Sequence, residues 1–367
     1  MKILQISKLY PPFWGGIETV VYDISSELSR KGNFVDILCV SDKNENTTEV
    51  QNNGKIFRCG SILHLASTYI SLSFLFKWMK IRKEYDIIHV HLPNPLALLA
   101  VFLFRPSKDT KIIVHWHSDI VKQKFLKIPF IPLQKWLLKK CKFIIATSKS
   151  YAQASKDIQN YSNKIQIVPI GIDSTRMESS DEKQLSIKKK HPNKKIVFSL
   201  GRHVYYKGFK YLIESAEYLS DEYVILLGGT GDQTECLINL SKKKKLYNKK
   251  IFFLGKIEAE HLSSYYSVAN VFCLPSIERS EAFGVVQLEA MSCGTPVIST
   301  EIDGSGVPWV NKTGVSGLTV PIKDPLALAD AIISLCESPL DKNKIKDFFY
   351  TNYSREVMVD KIIKLYS

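Results

Sequence analysis

The 367-residue chain lacks the cysteine patterns of disulfide-stabilised and zinc-binding folds. Its seven cysteines are scattered, with no Cys-x-x-Cys pair, which argues against a disulfide framework or a zinc ribbon and fits a reducing cytosol. Long apolar runs are also missing, because the longest, Leu96 to Phe104, is too short to span a bilayer. The amino terminus has no apolar core of signal-peptide length. We therefore expect neither a secreted nor a transmembrane protein.

The composition describes a folded and basic chain. An apolar fraction of 45% and an aromatic fraction of 11% exclude a disordered protein, and the length predicts two domains. Residues 1–170 carry 24 lysines and arginines against 12 acids, whereas residues 171–367 carry 26 against 24. The basic first half predicts an anionic partner. No nucleic-acid recognition motif accompanies this charge, which favours a membrane surface over nucleic acid.

A stretch with two carboxylates, Ser280 to Pro296, follows an apolar run that predicts a buried strand. The residues from Gly284 to Met291 predict the next helix, which places Glu281 in the intervening loop and Glu289 among apolar neighbours. A carboxylate in apolar surroundings needs a partner, and vicinal ribose hydroxyls suit it. Loop amides at a helix start suit phosphate. The alternative is one solvated glutamate and one structural ion pair.

Two glycine-containing loops lie between a predicted strand and a predicted helix. Gly15 and Gly16 precede a helix predicted over residues 17–30, where backbone amides favour an anion. The third glycine of the dinucleotide fingerprint is missing, so turn glycines without a ligand stay an alternative. The second loop, residues 201–208, holds Arg202 and Lys207. Two cations there could clamp a diphosphate, although a lone Arg and Lys in a loop are unremarkable.

Two predicted buried strands each end in His-x-His, at residues 89–91 and 115–117. Side chains two apart in a strand share a face, so a metal cluster is one interpretation. No carboxylate or cysteine accompanies the pairs at ligand spacing, which argues against it. Core histidines are the simpler interpretation of the first pair.

Basic and aromatic residues intermix at two places in the first half. Residues 69–83 predict one helix, with Lys77, Lys80 and Lys83 beside several aromatic side chains. Residues 122–143 contain Lys135, Lys139 and Lys142 at helical spacing beside Trp136. A solvated face is the ordinary meaning of such lysines, and the aromatic residues favour a membrane surface.

The segment PSIERSEAFGVVQLEAMSCGTPVIST resembles the donor-binding signature of family 4 glycosyltransferases, which are retaining enzymes of the GT-B fold. The resemblance runs from Met1 to about Leu365 and points to bacterial surface-polysaccharide enzymes. It implies an α/β protein with two Rossmann-like, doubly wound domains facing across a cleft. Residues 1–170 would form the acceptor and membrane side, residues 171–345 would bind the donor, and a helix over 346–367 would return to the first domain. Residues 304–311 depart from the usual family form.

The resemblance also implies roles for individual residues. Glu289 would hold the ribose and Glu281 hydroxyls of the donor sugar, while Arg202 and Lys207 would stabilise the diphosphate. His117, and with it Asp119, would face the transferred sugar. The other positions implied for the donor are Gly15, Gly16, Gly201, Gly231, Ile257, Phe283, Gly284 and Val285.

The implied reaction moves a hexose-type sugar from a nucleoside-diphosphate sugar to a hydroxyl of a polyprenyl-diphosphate-linked saccharide. A UDP-sugar is the favoured donor, followed by GDP-mannose. The enzyme would lie in the cytoplasm, on the inner face of the cell membrane. The chain has no Asp-x-Asp, so we expect neither a metal nor a cofactor. A GT-B epimerase or phosphorylase would need acid/base carboxylates or a cofactor lysine, neither of which is identifiable. A non-catalytic sugar-binding relative would lack the cations.

Overall fold

The computed structural model describes residues 1–51, 53–65, 68–119 and 128–367. The chain divides into two compact units. The first consists of Met1–Gly171 together with Arg355–Ser367, and the second of Ile172–Ser354. None of the helices in the described ranges has the length and apolar character needed to cross a bilayer.

The first unit is built on an eight-stranded sheet in the order β10-β9-β8-β7-β1-β2-β4-β3. All neighbouring pairs are parallel except β3 and β4. The central strands are buried along nearly their whole length, as expected for a sheet covered on both faces. Its strands are β1 Lys2–Ile6, β2 Phe34–Val40, β3 Thr47–Gln51, β4 Gly54–Cys59, β7 Ile87–Leu92, β8 Lys111–Trp116, β9 Phe143–Ala146 and β10 Ile165–Ile167, with β5 Leu63–Leu65 and β6 Thr68–Ile70 forming a separate hairpin.

The helices of the first unit connect these strands. Side-chain caps start several of them: Ser71 accepts from the amide of Phe74, and Asn94 from that of Ala97. The last helix of the chain is tied to the first by ion pairs of Arg355 with Glu27 and of Lys31 with Asp360. The helices are α1 Gly16–Arg30, α2 Leu72–Ile81, α3 Pro95–Leu103, α4 Ile131–Lys140, α5 Lys149–Ala154 and α14 Arg355–Tyr366, with 3₁₀ turns at Ile128–Phe130 and Gln159–Lys164.

The second unit has a six-stranded, all-parallel sheet in the order β13-β12-β11-β14-β15-β16. Its strands are β11 Lys195–Leu200, β12 Tyr223–Gly228, β13 Ile251–Gly255, β14 Val271–Leu274, β15 Val297–Thr300 and β16 Gly317–Val320. Its helices are α6 Asp181–Lys190, α7 Phe209–Ser215, α8 Thr234–Lys243, α9 Ala259–Val268, α10 Val286–Ser292, α11 Val307–Val310, α12 Pro325–Glu337 and α13 Lys342–Tyr353, with 3₁₀ turns at Ser174–Met177 and Tyr205–Lys207.

Each sheet has one place where the strand order reverses direction. In the first unit it lies between β1 and β7, and in the second between β11 and β14. Loops at the carboxyl ends of strands diverge at such a point and leave a crevice that binds ligands in doubly wound folds. The loops after β1, β11 and β14 carry most of the residues that the sequence singles out.

Several sequence predictions of local structure are wrong. Tyr69 lies in β6, so the helix expected over 69–83 begins only at Leu72. The sequence analysis predicts no strand in the polar residues 42–54, yet they contain β3, whose five residues are all exposed and which is defined by its pairing with β4. It predicts no helix in the charged residues 174–195, which contain α6. The helix expected over 346–367 is two helices that meet at Ser354, and only the second belongs to the first unit.

Candidate active site

The strongest cluster of predicted residues lies at the reversal point of the second unit. Lys207 ends the 3₁₀ turn after β11, and Glu281 follows β14. The Lys207 Nζ lies 2.5 Å from Glu281 Oε2, and the two side chains are only 11% and 12% exposed. The hydroxyl of Ser276 donates to the same carboxylate oxygen at 3.2 Å. The two opposite charges therefore neutralise each other, which avoids burying an isolated cation.

Glu289 lies on α10 and is held by a tyrosine. The hydroxyl of Tyr266 on α9 donates to Glu289 Oε2 at 2.7 Å. Burial raises the pKa of the Glu289 carboxyl, an effect that the Tyr266 bond and the nearby positive charges of Arg176 and Lys207 oppose. One carboxylate oxygen is thus fixed by Tyr266, and the other has no hydrogen-bond partner among the residues that the structure describes. The sequence analysis did not identify Tyr266, although the sequence shows a tyrosine in the helical segment just before β14.

Arg202 behaves differently from Lys207. Its side chain is exposed and forms no ion pair with any residue that the structure describes. The guanidinium is therefore free to turn towards an arriving anion. Lys207, the other cation of the predicted clamp, is instead paired with Glu281.

The predicted glycines of this unit sit where the loops approach one another closely. An added Cβ at Gly201 would lie 3.4 Å from the Lys207 Nζ, and at Gly231 it would lie 2.5 Å from the His203 carbonyl oxygen. The Gly231 amide already donates to the Thr234 hydroxyl. Ile257, which follows β13, packs beside Gly228 at the end of β12. These residues shape the rim of the crevice without contributing charge.

The segment before α10 offers backbone rather than side chains. Phe283 is buried, with its ring against that of Tyr353 at 6.4 Å between centroids. Gly284 has φ of +74°, and a Cβ there would collide with Leu274 and Gln287 at 2.7 Å. Val285 caps α10, so the helix begins two residues later than the sequence predicted. Residues 304–311, whose sequence departs from the usual family form, pack directly on this loop. The Gly306 amide donates to the Ala282 carbonyl.

In the first unit, Gly15 caps α1 without a side-chain cap, and Gly16 has open space around its Cα. The Glu18 carboxylate folds back so closely that a Cβ on Gly15 would lie 2.4 Å from its Oε2. Burial raises the pKa of Glu18, while Lys8 nearby opposes the shift. The positive end of the helix is thus covered by an internal carboxylate.

His117 lies at the end of β8 in a layer of four buried, stacked imidazoles on one face of the sheet, formed with His89, His91 and His115. Burial lowers the pKa of each, to about 3 for His89 and His117, so all four are neutral near pH 7. Asp119 is already hydrogen-bonded within the unit, because its Oδ1 accepts from the Trp116 indole and the Ser155 hydroxyl.

The histidine layer brings ligand atoms of His89, His91 and His115 within 4.8 Å of one another, which raises the metal interpretation again. Both nitrogens of His91 are already hydrogen-bonded, one to Gln5 and one to His117. Because both His91 nitrogens are taken, this arrangement does not offer three free imidazole nitrogens to one ion.

The lysines predicted on the membrane side are exposed but do not all lie on one helix. Lys135 and Lys139 are exposed on α4, which ends at Lys140, so Lys142 lies beyond it. Trp136 is half-buried, edge-on to Phe102. Residues 120–127 of the basic segment lie outside the described residues.

The sequence analysis missed a set of exposed apolar residues elsewhere in the first unit. The hairpin strands β5 and β6 pair Leu63 with Ile70, and both side chains are exposed. Leu72 and Phe76, one turn apart on α2, are 55% and 61% exposed. We call Ile62, Leu63, Ile70, Leu72 and Phe76 the hairpin patch.

Comparison with known families decides the class of protein. The model described as Glycosyltransferase Family 4 matches residues 14–176, and that of Glycosyl transferases group 1 matches residues 180–354. The chain belongs to glycosyltransferase family 4. The family predicted from the donor-binding segment is therefore confirmed.

Two bacterial glycosyltransferases are similar to this chain over most of its length. It is 29% identical to O-antigen chain mannosyltransferase C of Escherichia coli, covering 100% of this chain and 98% of that protein. It is 28% identical to D-rhamnosyltransferase WbpZ of Pseudomonas aeruginosa, covering 92% of this chain and 87% of that protein.

Solved structures of similar shape span the whole glycosyltransferase. Anabaena Alr3699/HepE in complex with UDP matches with a TM-score of 0.77 at 19% identity, covering 99% of both chains. Sucrose-phosphate synthase from Thermosynechococcus elongatus matches with a TM-score of 0.80 at 22% identity, covering 100% of this chain and 98% of that one. These likenesses confirm the predicted GT-B fold.

Proposed function

We propose that this glycosyltransferase moves a hexose-type sugar from a nucleoside diphosphate to a hydroxyl of a polyprenyl-diphosphate-linked saccharide, with retention of anomeric configuration, in surface-polysaccharide synthesis. The observation that carries the proposal is the cluster at the reversal point of the second unit. There Lys207, Glu281 and Glu289 surround the carboxyl ends of two adjacent strands. The ligand chemistry of the cluster fits a diphosphate, a sugar and a ribose.

The Lys207–Glu281 pair gives the donor site an exchange of partners. An arriving diphosphate competes with Glu281 for the ammonium group, and its greater charge favours the exchange. The carboxylate thus released accepts hydrogen bonds from hydroxyls of the donor sugar. Glu289, oriented by Tyr266, takes the ribose hydroxyls with its other oxygen.

Departure of the nucleoside diphosphate develops negative charge as the anomeric bond breaks. The cations Lys207, which is held in place, and Arg202, which is exposed and can turn, stabilise this charge. A divalent metal ion does the same in metal-dependent transferases. The chain has no Asp-x-Asp to hold such a metal, and we propose metal-independent transfer. We propose further that the leaving phosphate accepts the proton of the acceptor hydroxyl on the same face of the sugar.

The relatives bear on which sugar is transferred. The two full-length relatives are named for mannose and D-rhamnose transfer, and D-rhamnose is 6-deoxy-D-mannose. The structures bound to UDP and UDP-glucose are below 20% identical to this chain, so they inform the fold alone. We therefore place a GDP-mannose-type donor ahead of the UDP-sugar that the motif alone favoured.

The test is a screen of purified protein against GDP-mannose, GDP-D-rhamnose and common UDP-sugars, with polyprenyl-diphosphate saccharides as acceptors and EDTA in parallel reactions. We expect acceptor-dependent nucleotide release that survives EDTA, with an α-linked product from an α-configured donor. Loss with EDTA and recovery with Mg²⁺ would refute metal independence. Conversion of the donor without an acceptor would instead indicate an epimerase, and binding without turnover a non-catalytic relative.

We further propose that the first unit binds the cytoplasmic face of an anionic membrane, where a lipid-linked acceptor resides. The hairpin patch supplies apolar side chains for the lipid interface, and Lys80 and Lys83 are exposed close by in sequence. Lys135, Lys139 and Lys142 add charge, and each basic side chain near an anionic bilayer contributes about 1 kcal/mol. Together they suffice for reversible, salt-sensitive binding.

Flotation with vesicles containing anionic lipid tests this surface. Changing Lys135, Lys139 and Lys142 to Glu should abolish flotation at low salt, as should Phe76→Ser combined with Leu72→Ser. The control changes exposed Lys188, Lys189 and Lys190 of α6 to Glu, an equal charge change in the second unit. Equal flotation of native protein and both first-unit variants would refute the membrane proposal.

A further inference from the structure

A buried polar chain runs through the core of the first unit and ends at His117. It starts at Tyr366 on α14, continues through Gln5 on β1 and His91 on β7, and reaches His117 just after β8. The three strands are neighbours in the sheet. The four side chains are between 0% and 6% exposed, so water does not compete for their hydrogen bonds.

Each member of the chain is within hydrogen-bond distance of the next. The Gln5 amide nitrogen lies 3.3 Å from the Tyr366 hydroxyl, and the Gln5 amide oxygen lies 2.8 Å from His91 Nε2. His91 Nδ1 lies 2.9 Å from His117 Nε2. A branch joins the Tyr366 hydroxyl to His89 Nδ1 at 2.6 Å.

The chemistry of the groups fixes the direction of the bonds from Gln5 to His117. Burial keeps the imidazoles neutral by lowering their pKa values, so each ring carries one N–H. The amide oxygen of Gln5 can only accept, so His91 donates from Nε2. Its Nδ1 is then an acceptor, which requires His117 to donate from Nε2. The lone pair of His117 consequently lies on Nδ1.

The same direction holds at the start of the chain. The Gln5 amide nitrogen can only donate, so the Tyr366 oxygen accepts from it. That bond keeps the Gln5 amide oxygen turned towards His91. Nδ1 of His117 bonds to no residue in the described part of the chain, which leaves it for a ligand.

We propose that Gln5 and His91 are positioning residues that hold His117 in its Nε2–H tautomer, so that the bare Nδ1 accepts a hydrogen bond from a hydroxyl of the transferred sugar. The proposal rests on the proposed function for the ligand, whereas the tautomer itself follows from the chain of hydrogen bonds. Tyr366 acts one step further back, by orienting Gln5.

The tautomer is measurable directly. In the full-length protein labelled with ¹⁵N-histidine, long-range ¹H–¹⁵N spectra distinguish the protonated from the bare nitrogen of each ring. His91→Gln and His117→Asn assign the two signals among eight histidines. We expect Nε2–H for both residues at neutral pH. Gln5→Met, which keeps the length of the side chain but removes its polar end, should give His117 as a mixture of tautomers.

Kinetics supply the second measurement. Gln5→Met should lower kcat roughly tenfold to a hundredfold, as partners that orient a metal-bound imidazole do when removed, and leave KM nearly unchanged. Tyr366→Phe removes one hydroxyl and should shift the tautomer in the same direction with a smaller loss of kcat. His115→Leu is the matched control. It alters the same histidine layer outside the chain of bonds and should keep the His117 tautomer.

The outcomes separate this inference from the proposed function. Finding His117 protonated on Nδ1 in the native protein would overturn the inference, whether or not sugar transfer is found. So would finding that His117 keeps its native tautomer in both Gln5→Met and Tyr366→Phe. Should Gln5→Met fail to fold, Tyr366→Phe decides the question. Absence of transfer with every donor would refute the function and leave the spectra to decide the tautomer.

Discussion

Mild acid should destabilise the first unit, because its core holds four neutral histidines. Burial lowers the pKa values of His89, His91, His115 and His117 in the folded state, whereas in the unfolded chain each has a pKa of about 6.5. Between those values the unfolded chain binds more protons than the folded chain. Stability is therefore fully present above about pH 6.5 and is lost as the pH falls, down to about pH 3, where His89 and His117 titrate in the folded state.

The size of the effect follows from the unfolded chain. At pH 5.5 each unfolded histidine with a pKa of about 6.5 gains about 1.4 kcal/mol by protonation. Four together give about 5 to 6 kcal/mol relative to pH 7.5, which is comparable with the whole stability of an ordinary domain. Glu18 in the same unit works in the opposite direction, since burial raises its pKa, but it is one group against four.

Urea unfolding followed by tryptophan fluorescence measures this loss. Four of the five tryptophans, at 14, 78, 116 and 136, lie in the first unit, so the signal reports mainly on it. The unfolding free energy should fall by about 5 to 6 kcal/mol between pH 7.5 and 5.5. His115→Leu removes one ionisable group and should reduce that difference by about 1.4 kcal/mol.

Two results would refute this reasoning. A native protein whose stability changes by less than about 1 kcal/mol between the two pH values would mean that the histidines are protonated when folded or are not buried. An unchanged pH difference in His115→Leu would place the acid sensitivity elsewhere in the protein.

Three further predictions concern the donor site. Arg202→Ala and Lys207→Ala should each lower kcat roughly a hundredfold, because the diphosphate charge grows in the transition state; steady-state kinetics showing only a raised KM would contradict this role. Glu281→Gln should tighten binding of the free nucleoside diphosphate about tenfold, since Lys207 loses its competing partner, while kcat falls; calorimetry showing weaker binding would sink the proposed exchange. Tyr266→Phe should raise the donor KM about tenfold by freeing the Glu289 carboxylate to rotate; an unchanged KM would show that Tyr266 does not orient it.

The residues of the proposed donor site could be selected from the sequence because their signals are local. A strand followed by a glycine turn and a helix recurs around Gly201 and Gly284, and the spacing of Glu281 and Glu289 shows which lies in the loop and which on the helix. Their contacts could not be predicted. Lys207 meets Glu281 only because β11 and β14 are adjacent, and sheet order depends on packing of the whole unit.

Two missed elements show different limits. Strand β3 has five exposed residues and no apolar alternation, so its only signature is backbone pairing at a sheet edge. Helix α6 did carry signals: Ser180 caps it, Asp181 opens its first turn and lysines close its last turn. Its polar composition concealed them. The Tyr366 hydroxyl reaches His89 across 277 residues, a separation for which a single sequence holds no pattern.

The break at Ser354 makes the first unit discontinuous along the chain. The ribosome therefore synthesises its two segments at different times. Its sheet strands are complete by Ile167, yet α14, with the tyrosine that closes the polar chain at Gln5 and His89, is synthesised last. Roughly 200 residues separate the two, which at 5–20 residues per second is roughly 10 to 40 s of translation. Through that interval the second unit can fold as a continuous segment, while the nascent first unit lacks the Tyr366 hydroxyl that bonds to Gln5 and His89.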